Sequence, residues 1–137
     1  MVGRVNESKY RSSVICVDSY DDKVMKGRIY NPYLEGEIAF SSTMSLILYM
    51  EELLEEMSFP QAYEIKRSFG QFKTYIYQTG QVLSNYKGKK ATFEIKILFR
   101  QNASWQGTVL WIEEEKEESF RSVLELMLLM NSALIES

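Results

Sequence analysis

Two stretches of the chain, residues 11–57 and 91–137, align with each other without a gap at a constant offset of 80. Eleven of the 47 aligned positions are identical, whereas composition alone would give roughly three. The matches extend upstream of the helical segments, so chance similarity between two amphipathic helices does not explain them. The sequence therefore predicts a duplicated unit. The identical pairs are Ile15/Ile95, Gly27/Gly107, Glu35/Glu115, Glu37/Glu117, Phe40/Phe120, Ser42/Ser122, Leu46/Leu126, Leu48/Leu128, Met50/Met130, Leu54/Leu134 and Glu56/Glu136.

The second copy has the pattern of two strands followed by a helix. The segment ATFEIKILF alternates apolar and polar residues, which predicts a strand with one buried face. That face carries Phe93, Ile95, Ile97 and Phe99. GTVLWIE predicts a second strand because it is rich in β-branched and aromatic residues. The acidic run EEEKEE is predicted to lead into a helix that Ser119 caps. The buried stripe of that helix is predicted to be Val123, Leu126, Met127, Met130, Ala133 and Leu134.

The first copy follows the same plan. SSVICV and KGRIY predict two strands joined by a turn at YDDK, and Pro32 is expected to end the second. Ser41 or Ser42 is predicted to cap a helix that ends before Pro60. Its predicted buried stripe is Leu46, Ile47, Met50, Leu53, Leu54 and Met57. Two such units predict a single α+β domain over residues 1–137: a tandem ββα repeat that forms a four-stranded antiparallel sheet with two helices on one face.

The connector between the copies, residues 58–90, differs in composition. It is rich in glycine and aromatic residues, and we expect a short helix after Pro60 and a strand near TYIYQ. Its net charge is +5, whereas residues 1–57 and 91–137 each carry −4. The basic aromatic connector is one hypothesis for nucleic-acid binding, although a pI near 5.1 is low for such a domain. The candidate residues for that alternative are Lys66, Arg67, Lys73, Lys87, Lys89 and Lys90.

The residue inventory argues against most enzyme chemistry. The chain has no histidine and one cysteine, which removes His-based nucleophile activation and makes a zinc site improbable. Cys16, in the apolar run VICV, is predicted to be a buried small hydrophobe. The acidic runs lack the spacing of a calcium loop. We therefore predict no enzyme activity, no metal and no cofactor, with carboxylate-only chemistry left open. Without an apolar leader or membrane-length run, the prediction is a cytoplasmic location with no membrane contact.

The favoured functional hypothesis is a non-enzymatic binding or regulatory module that acts through protein–protein contacts. Leu124, Leu128 and Leu129 fall outside the buried stripe of the second helix, which predicts a further partner for it. That partner is the first helix, the connector or a second subunit, and the favoured hypothesis is a homodimer through the 120–135 helix. The candidate contact residues are Arg100, Asn102, Trp105, Gln106 and Trp111, since arginine and tryptophan often anchor interfaces. The structural alternative is that both tryptophans pack inside the domain.

Two other hypotheses come from different classes. Two acidic lobes suit an inhibitor that occupies the nucleic-acid channel of a nuclease, as small mobile-element inhibitors do. Alternatively, the sheet face opposite the helices could form the pocket of a small-ligand receptor.

The stretch FRQNASWQG with the following FRSVLEL helix resembles a family of small proteins from Firmicutes-type bacteria that has no assigned activity. The resemblance extends to PQAYEIKRSFG and covers roughly residues 58–137. It implies fold boundaries but no catalytic residue. NASWQG also resembles the signature of PilZ-type cyclic-dinucleotide receptors. That site needs an R-x-x-x-R segment to clamp phosphates, and the chain has none.

Overall fold

Three strands and a helix follow one another twice along the chain. The computed structural model of the protein describes residues 11–57, 86–101 and 104–137, with Gln101 described by its backbone alone. The first set is β1 (Ser12–Asp21), β2 (Val24–Tyr30), β3 (Ile38–Phe40) and α1 (Thr43–Met57). The second set is β4 (Ala91–Gln101), β5 (Ser104–Trp111), β6 (Lys116–Phe120) and α2 (Val123–Glu136). The strands form one antiparallel sheet in the order β3-β2-β1-β4-β5-β6.

The α+β class and the two helices are confirmed, but the predicted four-stranded sheet and ββα unit are wrong. The sheet has six strands, because each half adds a third strand before its helix. These added strands are the two sheet edges. β3 has only three residues, and β6 is formed by part of the acidic run that was predicted to lead directly into the helix. An edge strand with exposed charged residues has no alternating apolar pattern, so its sequence gives no strand signal.

The two halves meet in the centre of the sheet with matched register. Val14 of β1 pairs with Glu94 of β4, and these two positions are themselves related by the offset of 80. Exchanging the halves therefore maps the β1–β4 pairing onto itself. The glycines obey the same relation: Gly27 pairs with Val17 and Phe40, and Gly107 pairs with the corresponding Ile97 and Phe120.

Both helices cover the same face of the sheet, where one apolar core contains residues from both helices and all six strands. The predicted helix stripes are confirmed. In α1 the buried residues are Leu46, Met50, Leu53, Leu54 and Met57, and in α2 they are Leu126, Met130, Ala133 and Leu134. Ile47, Val123 and Met127 are partly buried against this core.

Each long central strand contains a β-bulge, between Val17 and Ser19 in β1 and between Ile97 and Phe99 in β4. A bulge adds one residue, so the side chains beyond it change faces. Phe93, Ile95 and Ile97 are buried as predicted, but Phe99 is 60% exposed. The prediction that Phe99 belongs to the buried face is therefore wrong, and the bulge is the reason.

Local sequence signals explain the helix starts and the first turn. The Ser42 hydroxyl accepts a hydrogen bond from the Ser45 N–H at 3.0 Å, and the Ser122 hydroxyl accepts one from the Glu125 N–H at 3.1 Å. Ser42 is thus confirmed as a cap, whereas Ser119 is not one and lies in β6. The turn predicted at YDDK is present one residue further along the chain, between Asp21 and Val24, with positive φ at its two central residues Asp22 and Lys23. The predicted helix after Pro60 and strand near TYIYQ lie outside the described residues.

Candidate functional site

Arg100 and Trp105, two of the five predicted contact residues, lie on the inner face of the sheet against α1. Trp105 is 1% exposed, and its indole N–H donates to Glu51 Oε1 at 2.9 Å. Beyond the bulge, Arg100 pairs with Trp105 across the strands, so it also points inward. Its Nη2 atom lies 3.2 Å from Glu51 Oε2 and 3.3 Å from Glu55 Oε2. The structure thus places Trp105 in the core, where a partner cannot reach it while the domain is folded.

The other predicted contact residues lie elsewhere. Gln106 is half-buried on the opposite sheet face, where it pairs with the exposed Phe99. Trp111 is half-buried at the far end of β5 and packs against the inner core near α2. Asn102 lies outside the described residues. The set chosen from the sequence therefore does not form one surface, because the bulge and the alternation of β5 send its members to different faces.

The outer face of the sheet, opposite the helices, is covered over β1 and β2 by residues 86–90 of the connector. The ring of Tyr86 stacks on Tyr30 with centroids 3.6 Å apart. The backbone N–H of Lys89 donates to Asp18 Oδ1 at 3.0 Å, and Arg28 Nη2 donates to the Lys87 carbonyl at 3.1 Å. A receptor pocket on this part of the sheet, one of the sequence hypotheses, would have to displace these contacts.

Arg28 links this cover to the sheet. Its Nε and Nη2 atoms donate to the two carboxylate oxygens of Asp18, each at 3.0 Å, and its Nη1 donates to the Tyr30 hydroxyl at 2.9 Å. Partial burial works to raise the pKa of Asp18, but the hydrogen bonds from Arg28 and the Lys89 N–H outweigh it and hold that pKa below its usual value. Burial and the hydrogen bond donated to Glu37 raise the pKa of Tyr30 to about 12. These hydrogen bonds hold residues 86–90 of the connector against β1 and β2.

Only three of the six lysine and arginine residues proposed for nucleic-acid binding are among the described residues. Lys87 and Lys89 are exposed and Lys90 is half-buried, while Lys66, Arg67 and Lys73 lie outside the described residues. The backbone groups of Lys87 and Lys89 are tied to the Arg28 network. The exposed side chains of Lys87 and Lys89 therefore extend from a backbone segment that is hydrogen-bonded to Arg28 and Asp18.

Cys16 lies on the outer face within the small buried cluster that also contains Val14 and Tyr30. The residue is 0% exposed, and burial raises the pKa of its thiol to about 11. A thiol that is both enclosed and protonated is a poor nucleophile. The prediction of a packed, small apolar residue is confirmed by this burial.

The helices carry exposed apolar residues on their outer sides. In α2, Leu124, Leu128 and Ile135 are 67%, 56% and 66% exposed. In α1, Met44 and Leu48 occupy the corresponding positions and are 64% and 53% exposed. At 3.6 residues per turn, the three α2 side chains lie within about 40° of one another and span about 17 Å. We call this set, Leu124, Leu128 and Ile135, the α2 stripe.

The β6 edge is acidic. Residues 113–118 read EEEKEE and are all exposed, with Glu115 in the left-handed conformation at φ 54°. Within the described ranges, no three Cys, Asp or Glu side chains converge as a metal site would require. The same part of the chain contains no helix of the length and apolarity needed to cross a membrane.

Comparison with protein-family models, curated protein sequences and solved structures gives no match for this chain.

Proposed function

We propose that the protein is a non-enzymatic binding module that acts through protein contacts made by the α2 stripe. The observation that carries this proposal is the exposure of three large aliphatic side chains on one line of one helix. Single exposed leucines are ordinary on protein surfaces, but several large apolar side chains aligned on one helix face and rimmed by polar residues are typical of interaction sites. This surface replaces the one chosen from the sequence around Trp105.

A second copy of the chain is the first partner to test. The α2 stripe carries no charged side chain between Leu124 and Ile135 other than Glu125, which is paired with Arg121 at 2.8 Å. An uncharged apolar line is self-complementary, which is what a two-fold interface requires. The sequence hypothesis of a homodimer through this helix rests on the same residues.

The test replaces Leu124 and Leu128 together by glutamine and measures mass by sedimentation equilibrium at micromolar concentration. Burying a leucine contributes about 1.5–3 kcal/mol, so the double variant should weaken self-association at least about tenfold. The matched control is Met44→Gln with Leu48→Gln, because these side chains have the same exposure at the equivalent positions of α1. Both variants should keep the wild-type circular dichroism spectrum.

A partner other than a second copy of the chain is tested by a separate photo-crosslinking experiment. A photo-crosslinking amino acid at position 128 should capture the same partner as one at position 124, and the same probe at Lys96 on the opposite sheet face should not. A wild-type chain that stays monomeric, together with no adduct specific to positions 124 and 128, would refute the proposal.

The acidic-inhibitor hypothesis is a second candidate because residues 113–118 place five exposed glutamates at one edge of the sheet. Glu114, Glu115, Glu117 and Glu118 surround a single lysine, Lys116. Such a row can imitate the phosphates of a nucleic acid. It predicts inhibition of a nuclease that is lost when these four glutamates become glutamines and retained in the Leu124/Leu128 double variant. Inhibition that survives neutralisation would exclude it.

A further inference from the structure

A cleft of about 180 Å³ opens between the sheet and the C-terminal half of α2. Its apolar lining consists of Phe93, Val109, Trp111, Leu129 and Ala133. Lys116, Glu118, Ser132 and Glu136 form its polar rim. A cavity of roughly 150 Å³ with an apolar lining is enough to hold a benzene ring. The cleft therefore has the size and lining for one aromatic ring.

The first half shows why this space is open. Residues 33, 38 and 53 correspond to residues 113, 118 and 133 by the offset of 80. In the first half they are Tyr33, Ile38 and Leu53, and all three pack in the apolar core. In the second half they are two glutamates and an alanine. At these three positions the first half thus has a phenol ring and two branched aliphatic side chains, whereas the second half has two carboxylates and a methyl group; the large apolar side chain of the second half is Trp111, at the position of Asn31.

The replacement for Tyr33 does not point into the space. The carboxylate of Glu113 accepts hydrogen bonds from the Thr92 N–H at 2.8 Å and the Thr92 hydroxyl at 2.7 Å. Neither Thr92 nor Glu113 lines the cleft, so this pair holds the Glu113 carboxylate outside it. The cleft is left without a side chain that can fill it.

Trp111 forms one wall and is held by packing. The Lys116 Nζ atom lies 5.8 Å from the centroid of its ring. Within the residues that the structure describes, its buried indole N–H has no hydrogen-bond partner. Trp105, by contrast, is anchored to Glu51. Trp111 can therefore adjust to an occupant at little cost in hydrogen bonding.

The charge around the cleft selects the sign of the occupant. Residues 113–118 carry five glutamates and one lysine, a net charge of −4, and Glu136 adds another negative charge at the rim. Such a field favours cations and disfavours carboxylate ligands. We propose that this cleft binds a small molecule with one aromatic ring and a positively charged amine, with the ring between Trp111 and Ala133 and the amine at Glu118 and Glu136. This site is separate from the α2 stripe of the proposed function.

Benzylamine, benzyl alcohol and benzoate test the proposal, because they share the ring and differ in charge. The two tryptophan indole N–H signals in a ¹⁵N–¹H spectrum are the readout. Benzylamine should shift the Trp111 signal in a saturable way at roughly millimolar concentration, the range expected of so small a ligand. The Trp105 signal should stay in place. Benzyl alcohol should bind roughly two- to tenfold more weakly, because exposed ion pairs add little more, and benzoate more weakly still.

Two sets of variants localise the binding. Ala133→Leu restores the residue of the first half, should fill the cleft and should abolish the Trp111 shift without loss of stability. Glu118→Gln with Glu136→Gln should remove the preference for benzylamine over benzyl alcohol. Glu56→Gln, at the position equivalent to Glu136, is the matched control and should leave binding unchanged.

The remaining outcomes overturn the proposal. They are no shift of the Trp111 signal with benzylamine, an equal shift in Ala133→Leu, or benzoate binding as tightly as benzylamine. If Ala133→Leu proves unstable, the double glutamine variant still decides, because its substitutions are exposed and its readout is a change in ligand preference. None of these results depends on self-association through the α2 stripe.

Discussion

Replacing Gly107 by alanine would place a Cβ atom 1.9 Å from the carbonyl oxygen of Lys96 on the neighbouring strand. Ordinary contact begins near 3.4 Å, so β4 and β5 would have to separate by about 1.5 Å at this point. A shift of that size breaks about two of the ladder hydrogen bonds beside the bulge, each contributing about 0.5–1.5 kcal/mol. Strain in the packed core adds about 1–3 kcal/mol.

We therefore expect Gly107→Ala to lower the free energy of unfolding by about 2–6 kcal/mol, a large part of the stability of a domain of this size. Urea unfolding followed by circular dichroism measures this value. Gly27→Ala should have a similar effect, because its Cβ would also lie 1.9 Å from a carbonyl oxygen, that of Cys16.

Gly36→Ala is the control for the chemistry of the substitution. A Cβ at Gly36 meets no atom within 4 Å, so this variant should match or slightly exceed the wild-type stability through the unfolded state. If Gly107→Ala unfolds at the same urea midpoint as Gly36→Ala, the backbones of β4 and β5 do not approach each other closely enough at Gly107 to exclude a side chain.

Trp105, Cys16 and Asp18 each allow a further test. Trp105→Ala should cost about 3–5 kcal/mol of stability by removing a fully buried ring, whereas Trp105→Phe should cost clearly less; equal losses would argue against the ring's packing as the main contribution. The thiol of Cys16 should not react with a disulfide reagent at pH 8 in the native protein and should react once the chain is unfolded in urea; fast reaction in the native state would contradict its burial. The pKa of Asp18 is lower in the folded state than its usual value of 3.8. The pairing of Asp18 with Arg28 therefore stabilises the protein fully at pH values above 3.8, and this stabilisation is lost as the pH falls through the lower pKa of the folded state. Asp18→Asn should therefore flatten the acid limb of a stability-against-pH curve, and an unchanged limb would show that this ion pair contributes nothing there.

The placement of the predicted contact residues shows the limit of local pattern. Alternation along ATFEIKILF correctly put Phe93, Ile95 and Ile97 on one face, but nothing in that pattern marks the bulge that turns Phe99 outward and Arg100 inward. A bulge is a property of the pairing between two strands, and its position depends on the partner register. Trp105, chosen as a contact residue, is instead a core residue bonded to Glu51, because regular alternation along β5 points it inward together with Gly107 and Val109.

The internal repeat predicted more of the structure than the alternation of single strands did. The offset of 80 predicted two similar halves and the equivalence of Gly27 with Gly107, and helical periodicity predicted the buried stripes, because burial and crowded backbone positions both restrict the residue type. The same comparison identifies the cleft, since it is the loss of Tyr33, Ile38 and Leu53 in the second half that leaves space beside Trp111. The residue differences between the halves are visible in the sequence, but only the packed structure shows that they border a cleft.

The sequence by itself determined the α+β class, the two amphipathic helices and the central strands, since these depend on periodicity and on residues near one another in the chain. The tertiary structure decided what depends on distant residues: the short edge strands β3 and β6, which are paired on one side only, and the direction of side chains beyond each bulge. It also decided the outward position of the α2 stripe, because an apolar residue outside the main stripe is exposed or buried according to what packs against the helix.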